Sequence, residues 1–235
     1  MSHQKMTRAI ALGVASVCAG LLSISANAAS TTATAQLFGL TDLAGVLSFS
    51  NDFYVVLAST PEHDEMSSGT TAGSYFLNDG NSFAEANGND GFGPYTHIGV
   101  NNNGSATATV MWSFDWTATA DGQAAVSADY LREWTVANLQ PGEQSGVRSS
   151  ITLSLDGTPF QSEVLDFFAN VSGSQSDFST LSLLFPVLAG EKGSLTVTLT
   201  STGFASAAPV PLPAAIWLLG SSLLGLGGVA RRRKA

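Results

Sequence analysis

The chain has 235 residues, of which 44% are hydrophobic and 11% are charged, and its net charge is −9 at pH 7. All 18 acidic residues lie between Asp42 and Glu191, and the body, residues 29–200, contains three basic residues, so its net charge is −15. A body this acidic repels nucleic acid and anionic lipid, which excludes nucleic acid as a partner.

The first 28 residues have the organisation of a secretory signal peptide. Lys5 and Arg8 form its basic region, and residues 9–24 form an apolar stretch that predicts a signal helix. The predicted cleavage site consists of Ala26, Ala28 and Ala29, with cleavage before the last of these. The single cysteine, Cys18, lies inside this segment, so the exported chain has no disulfide, thiol chemistry or cysteine-bound zinc.

Alternating apolar and polar residues predict β-strands through the body, residues 29–200. The longest alternation runs from Ala106 to Thr117, and the same pattern returns over Val147–Leu155 and Leu195–Thr200. Four further runs have strand composition: residues 53–58, 124–131, 163–169 and 180–187. Asp156-Gly157, between two of these runs, is typical of a hairpin turn.

No helical periodicity occurs outside the two ends of the chain. The pattern therefore predicts one all-β domain, an antiparallel β-sandwich of jelly-roll type, with residues 201–208 as an exposed spacer after it. Trp112, Phe114 and Trp116 alternate in register and are expected in the core. Four aromatic residues in less regular surroundings are candidates for exposure: Tyr75, Phe92, Tyr95 and Trp134.

The least strand-like part of the body, Thr60–Asn103, is rich in Asn, Asp and Gly and is interpreted as long surface loops. Sandwich proteins often carry their binding groups on such loops. The candidate ligand loop consists of Asn87, Asn89, Asp90, Phe92 and Tyr95. Its aromatic faces suit sugar rings and its oxygen atoms suit calcium, although the spacing does not reproduce an EF-hand, and a solvated turn is the alternative interpretation.

The sequence contains no recognisable catalytic constellation or cofactor motif. No Gly-x-Ser-x-Gly elbow occurs, and the exported chain has two histidines, His63 and His97. His63, Asp64 and Glu65 are consecutive, so on an extended segment their side chains alternate in direction and cannot chelate a metal together. Apart from calcium on the candidate ligand loop, we therefore expect no metal or other cofactor, and we expect no enzymatic activity. The carboxylate pair of a glycosidase is neither assignable nor excluded.

The last 27 residues combine a short proline motif, an uncharged stretch and a cationic end. Residues 212–230 are 19 uncharged residues, and as a helix they would extend about 28 Å, close to the hydrocarbon thickness of a bilayer. The cationic stop consists of Arg231, Arg232, Arg233 and Lys234. This order predicts a transmembrane helix with its cationic end in the cytoplasm and the body outside.

The proline motif consists of Val210, Pro211, Leu212, Pro213 and Ala214. With the apolar stretch and the cationic stop, residues 209–235 closely resemble the PEP-CTERM protein-sorting domain of Gram-negative bacteria, in its Val-Pro-Leu-Pro-Ala variety. Leu212 stands where the Pro-Glu-Pro form has glutamate. The resemblance implies processing by an exosortase near the motif, in bacteria that make exopolysaccharide.

Together these features predict an exported protein that is anchored in the inner membrane as a precursor and is then transferred to the cell surface or the extracellular matrix. A structural, adhesive or carbohydrate-binding role in an exopolysaccharide biofilm is the function that we expect. The alternative from another class is an extracellular glycoside hydrolase or lyase that acts on the same polymer. A third possibility is a permanently anchored protein, from which the C-terminal tail is not removed.

Overall fold

The structure is a computed structural model that describes residues 29–70, 73–88, 93–156, 158–169 and 171–206. The predicted signal helix (residues 1–28) and the predicted sorting signal (residues 209–235) lie outside these residues. The described residues are all-β, and they include no helix long and apolar enough to cross a membrane.

Twelve strands lie within the part of the chain that the structure describes. In chain order they are β1 Ser30–Asp42, β2 Leu47–Ser59, β3 Asp64–Gly69, β4 Ser74–Asn78, β5 Ser82–Asn87, β6 Tyr95–Asn101, β7 Gly104–Ala118, β8 Gly122–Ala137, β9 Gln144–Leu155, β10 Thr158–Ala169, β11 Gly173–Val187 and β12 Lys192–Ser206. They form two six-stranded sheets in which neighbouring strands are antiparallel.

Sheet A has the strand order β11-β8-β1-β6-β5-β4, and sheet B has the order β10-β9-β12-β7-β2-β3. Hairpin connections within one sheet join β2 to β3, β4 to β5, β5 to β6 and β9 to β10. The other connections pass from one sheet to the other. The two sheets are therefore interleaved along the chain, and neither sheet is built from one continuous segment.

The three long alternations that predict strands are confirmed as β7, β9 and β12. The four shorter runs lie within β2, β8, β10 and β11. The hairpin predicted at residue 156 is also confirmed, because Leu155 pairs with Thr158 across the turn between β9 and β10. Asp156 has a φ of 49°, the left-handed conformation that Asp tolerates in tight turns.

Two predictions about the body are wrong. The segment Thr60–Asn103 does not form long loops, because β3, β4, β5 and β6 lie within it. These strands have only five to seven residues, and β3 and β5 consist mostly of small or polar residues, so their hydrophobic signal is weak. The spacer predicted at 201–208 is wrong over residues 201–206, which continue β12 with Ser201 and Ala205 buried.

The core consists of two clusters of buried apolar side chains between the sheets. The larger cluster combines residues of both sheets, such as Leu183 of β11 and Leu199 of β12, so the sheets pack face to face. The prediction that Trp112, Phe114 and Trp116 lie in the core is confirmed, with Trp112 partly buried at its border. Trp134, a candidate for exposure, is instead buried in the smaller cluster.

Buried hydroxyl groups also link the two sheets. Thr96 of β6 and Ser201 of β12 share a hydrogen bond between side-chain oxygens 2.8 Å apart, and both residues are 0% exposed. Thr31 of β1 forms a second such bond with Ser145 of β9. A buried hydroxyl needs a partner, so these bonds favour one alignment of sheet A on sheet B.

Candidate functional site

The structure places the two ends of the predicted ligand loop side by side. Asn87 is the last residue of β5 and Tyr95 is the first residue of β6, and the two pair directly across the antiparallel strands. Asn89, Asp90 and Phe92 lie outside the described residues. The two described residues that flank the loop, Asn87 and Tyr95, therefore lie side by side at one end of the β5–β6 pair.

The alternation of buried and half-buried side chains along β5 shows which residues lie on the outer face of sheet A. Ala84 and Ala86 are buried in the core, so Phe83 and Glu85 project to the opposite side of the sheet. On β6, buried Ile98 likewise leaves His97 on the outer face. Glu85 lies directly opposite His97 in the register of these two strands.

Three rings form a continuous row on this outer face, which we call the aromatic strip: Phe76 of β4, Phe83 of β5 and His97 of β6. The centroids of Phe76 and Phe83 are 6.0 Å apart with an interplanar angle of 28°. Phe83 meets His97 edge-on at 4.9 Å. Gly99 supports the row, since a Cβ atom there would lie 2.1 Å from the Phe83 ring.

Exposure differs along the aromatic strip. Phe76 is 59% exposed, whereas Phe83 and His97 are half-buried. An exposed phenyl ring at the end of a supported row offers an apolar face that needs no rearrangement to meet a ligand. The strip therefore presents one accessible ring, Phe76, which packs against Phe83, and Phe83 in turn contacts His97.

Polar groups lie directly beside the aromatic strip. The Tyr95 hydroxyl donates a hydrogen bond to Glu85 Oε1. Burial lowers the pKa of His97 from its ordinary value of 6.5, and the nearby Glu85 carboxylate opposes part of that effect. At pH 7 the imidazole is therefore mostly neutral, with one nitrogen that donates and one that accepts hydrogen bonds.

An apolar ring surface bordered by a carboxylate, a phenol and a neutral imidazole suits a hydroxylated ligand with an apolar face. Pyranose rings have this character, because their C–H groups can lie on an aromatic face while their hydroxyls bond to polar groups at the edge.

The described residues contain no group of three or more His, Cys, Asp or Glu side chains placed to hold a metal ion. A second acidic location, beside Asp115 and Asp156, uses its carboxylates within the protein. Asn51 Nδ2 donates to Asp115 Oδ2 at 2.8 Å, and the Ser194 amide donates to Asp156 Oδ1 at 2.7 Å. Calcium at Asn87, Asn89 and Asp90 stays a prediction.

The predicted ligand loop connects the two strands that carry Phe83 and His97, but the sequence-based prediction did not include the residues of the aromatic strip. Phe76, Phe83 and Glu85 lie on strands inside a segment that was interpreted as loops. The missed signal is the two-residue period of Phe83-Ala84-Glu85-Ala86, in which alanine marks the buried side. His97 is one of the two histidines after the predicted signal peptide, and its pairing with Glu85 is visible only in the strand register.

No model of a known protein family matches the chain, and no curated protein matches it either. Two features of the chain itself bear on its function: the two ends of the sequence and the outer face of sheet A.

Proposed function

We propose that this chain is an exported, exosortase-processed protein of the cell surface or extracellular matrix that binds polysaccharide through the aromatic strip. The observation that carries the binding role is the row of Phe76, Phe83 and His97, with its exposed end and its polar border. The resemblance of residues 209–235 to a sorting signal supports the route. In this proposal the role is structural or adhesive and involves no catalysis.

The finer description of the fold belongs to the same proposal. A jelly roll alternates its strands between two sheets, and among the twelve described strands seven of the eleven successive connections change sheet. Sandwiches of this kind present broad outer faces on a rigid core. A rigid face suits a repeating polymer, because binding then costs little conformational entropy in the protein.

Phe76→Ala tests the binding role. The ring is 59% exposed, so we expect little change in stability but about a fivefold to tenfold loss of affinity for the native exopolysaccharide, measured by affinity electrophoresis. Phe178→Ala is the matched control, because Phe178 is 65% exposed on β11 at the opposite edge of the same sheet. Equal losses in both variants would contradict a role for the strip.

The length of the polymer separates binding from catalysis. Incubation with the native exopolysaccharide should leave its length and its content of reducing ends unchanged. Release of reducing ends would instead favour the glycoside hydrolase, and new unsaturated ends would favour the lyase.

The intact mass of the protein recovered from the producing cells tests the sorting route. Cleavage near Pro211–Pro213 predicts a mass that lacks both the signal peptide and the tail after the motif. A mass that retains residues 215–235 would contradict processing and favour the permanently anchored protein. Calcium can be tested in the same preparation, since loss of polysaccharide binding on chelation would assign it a role.

A further inference from the structure

A shallow recess of about 420 Å³ lies on the outer face of sheet B, on the opposite side of the sandwich from the aromatic strip. It lies where β7, β12 and β9 run side by side. The side chains that project around it are Ser105, Thr107, Arg148, Thr202 and Phe204. It therefore combines one aromatic ring, one guanidinium and several hydroxyls.

A glycine creates the space beside the aromatic ring. Phe204 of β12 pairs with Gly146 of β9 on one side and with Ser105 of β7 on the other. Since Gly146 has no side chain and Ser105 has a small one, these two positions leave space next to Phe204, and Phe204 lines the recess there. One edge of the recess is thus aromatic.

The next row along the strands supplies the polar groups. Thr202 lies between Arg148 and Thr107 in the register of β9, β12 and β7. The β-branched threonine side chains have few rotamers, so their hydroxyls are held in position before a ligand binds. A ring that rests against Phe204 would have its edge against this row.

Arg148 gives the recess a charge that is rare in this body. The body has three basic residues, and one of them, Arg132, is 4% exposed and paired with Asp177. Arg148 and Lys192 are the exposed ones. A guanidinium has five N–H donors in a planar fork, so it can bond to a group of the protein and still bind a ligand carboxylate or sulfate.

We propose that this recess binds an anionic sugar residue, with the ring of the sugar against Phe204, its anionic group on Arg148 and its hydroxyls on Thr107 and Thr202. The inference goes beyond the proposed function, because it places a second sugar site on the other face and gives it a different charge preference. Asp166 of β10 lies directly opposite Arg148 in the register of β10 and β9, and the planar fork of the guanidinium leaves further N–H donors for a ligand anion. Repulsion from carboxylates farther away is screened beyond about 10 Å at ordinary salt.

The test compares oligogalacturonate with a neutral oligogalactose of matched length and linkage, each titrated into the full chain in detergent by calorimetry. We expect the acidic ligand to bind more tightly, and Arg148→Gln to weaken it by about tenfold or more while leaving the neutral ligand unaffected. A sulfated oligogalactose shows whether the site takes either anion. Binding of the sulfated sugar but not the uronate would restrict the proposal to sulfate.

Lys192→Gln is the control, because it removes the same charge from another exposed position outside the recess. Equal weakening in the two variants would show a general charge effect and overturn the proposal, as would unchanged binding in Arg148→Gln. Phe204→Leu keeps an apolar side chain at the wall and should weaken both ligands. The strip variant Phe76→Ala should leave oligogalacturonate binding intact, so this proposal and the proposed function fail separately.

Discussion

Two opposing effects act on the pKa of His97. Burial on the outer face of sheet A disfavours the imidazolium, while the Glu85 carboxylate favours it, and burial has the larger effect on the pKa. The groups that face it are Glu85 on β5, Thr34 on β1 and the edge of Phe83. The neutral form is therefore the one that the folded protein prefers.

This preference makes the stability of the fold depend on pH. The pKa of His97 in the folded state lies below the ordinary value of 6.5. As the pH falls below 6.5, the unfolded chain therefore binds more protons at this residue than the folded chain does. As the pH falls from 6.5 to the lower pKa of the folded state, the free energy of unfolding decreases. Below that folded-state pKa, the contribution of His97 no longer changes with pH. We expect the free energy of unfolding, from urea titrations between about pH 8 and pH 5, to fall less in His97→Gln than in the unaltered protein.

His63→Gln supplies the comparison, because His63 is exposed and precedes β3. This variant should follow the unaltered protein at each pH. Parallel profiles for His97→Gln and the unaltered protein would show that the histidine on the strip does not cause the pH dependence.

The residues of the strip show what sequence reasoning can and cannot supply at this scale. A two-residue period assigns Phe83 and Glu85 to one side of a strand. It does not say which strand lies beside them, and the pairing of Glu85 with His97 depends on the register of β5 on β6. Phe76 joins the row through the pairing of β4 with β5, which the sequence alone does not predict.

At the scale of the elements, strands with strong alternation were predictable and strands built from small or polar residues were not. β7 alternates large apolar side chains such as Val110, Phe114 and Trp116 with polar ones. β5 buries only alanine and serine. Its stability comes from pairing with β4 and β6 and from burial under the neighbouring sheet, which are tertiary effects that local sequence does not record.

The hydroxyl pair Thr96–Ser201 joins strands of different sheets, and its removal should be costly. Ser201→Ala leaves the Thr96 hydroxyl with a 3.5 Å contact to the Ala35 carbonyl, at the outer limit of a hydrogen bond. We expect a loss of about 1–3 kcal/mol in the free energy of unfolding. The double variant Thr96→Val/Ser201→Ala should cost less than the sum of the single variants by about 1 kcal/mol, measured in a double-mutant cycle with urea.

A second hydroxyl pair provides the reference for that cycle. Thr109 and Thr200 lie on neighbouring strands of sheet B, with their hydroxyl oxygens 3.3 Å apart and partly exposed. Water can replace either partner there, so the coupling between Thr109→Val and Thr200→Val should stay below about 0.5 kcal/mol. Equal coupling in the two pairs would contradict the role assigned to the buried bond between the sheets.

At the scale of the whole molecule, the two candidate sugar sites lie on opposite outer faces. Phe76 belongs to sheet A and Arg148 to sheet B, and the core between the sheets lies behind both. One polysaccharide chain on each face would make the protein a bridge between two chains. The net charge of −15 on the body keeps separate copies apart, which favours bridging by single molecules over aggregation.

Bridging predicts that two intact sites are needed for a mechanical effect but only one for binding. The unaltered protein should raise the viscosity of a solution of the native exopolysaccharide. Phe76→Ala and Arg148→Gln should each abolish that rise while retaining part of the binding, whereas the controls Phe178→Ala and Lys192→Gln should retain both. An excess of oligogalacturonate should occupy the recess and reverse the rise, because a molecule with one free site cannot join two chains. A single-site variant that thickens the solution as much as the unaltered protein would show that the two faces do not act together.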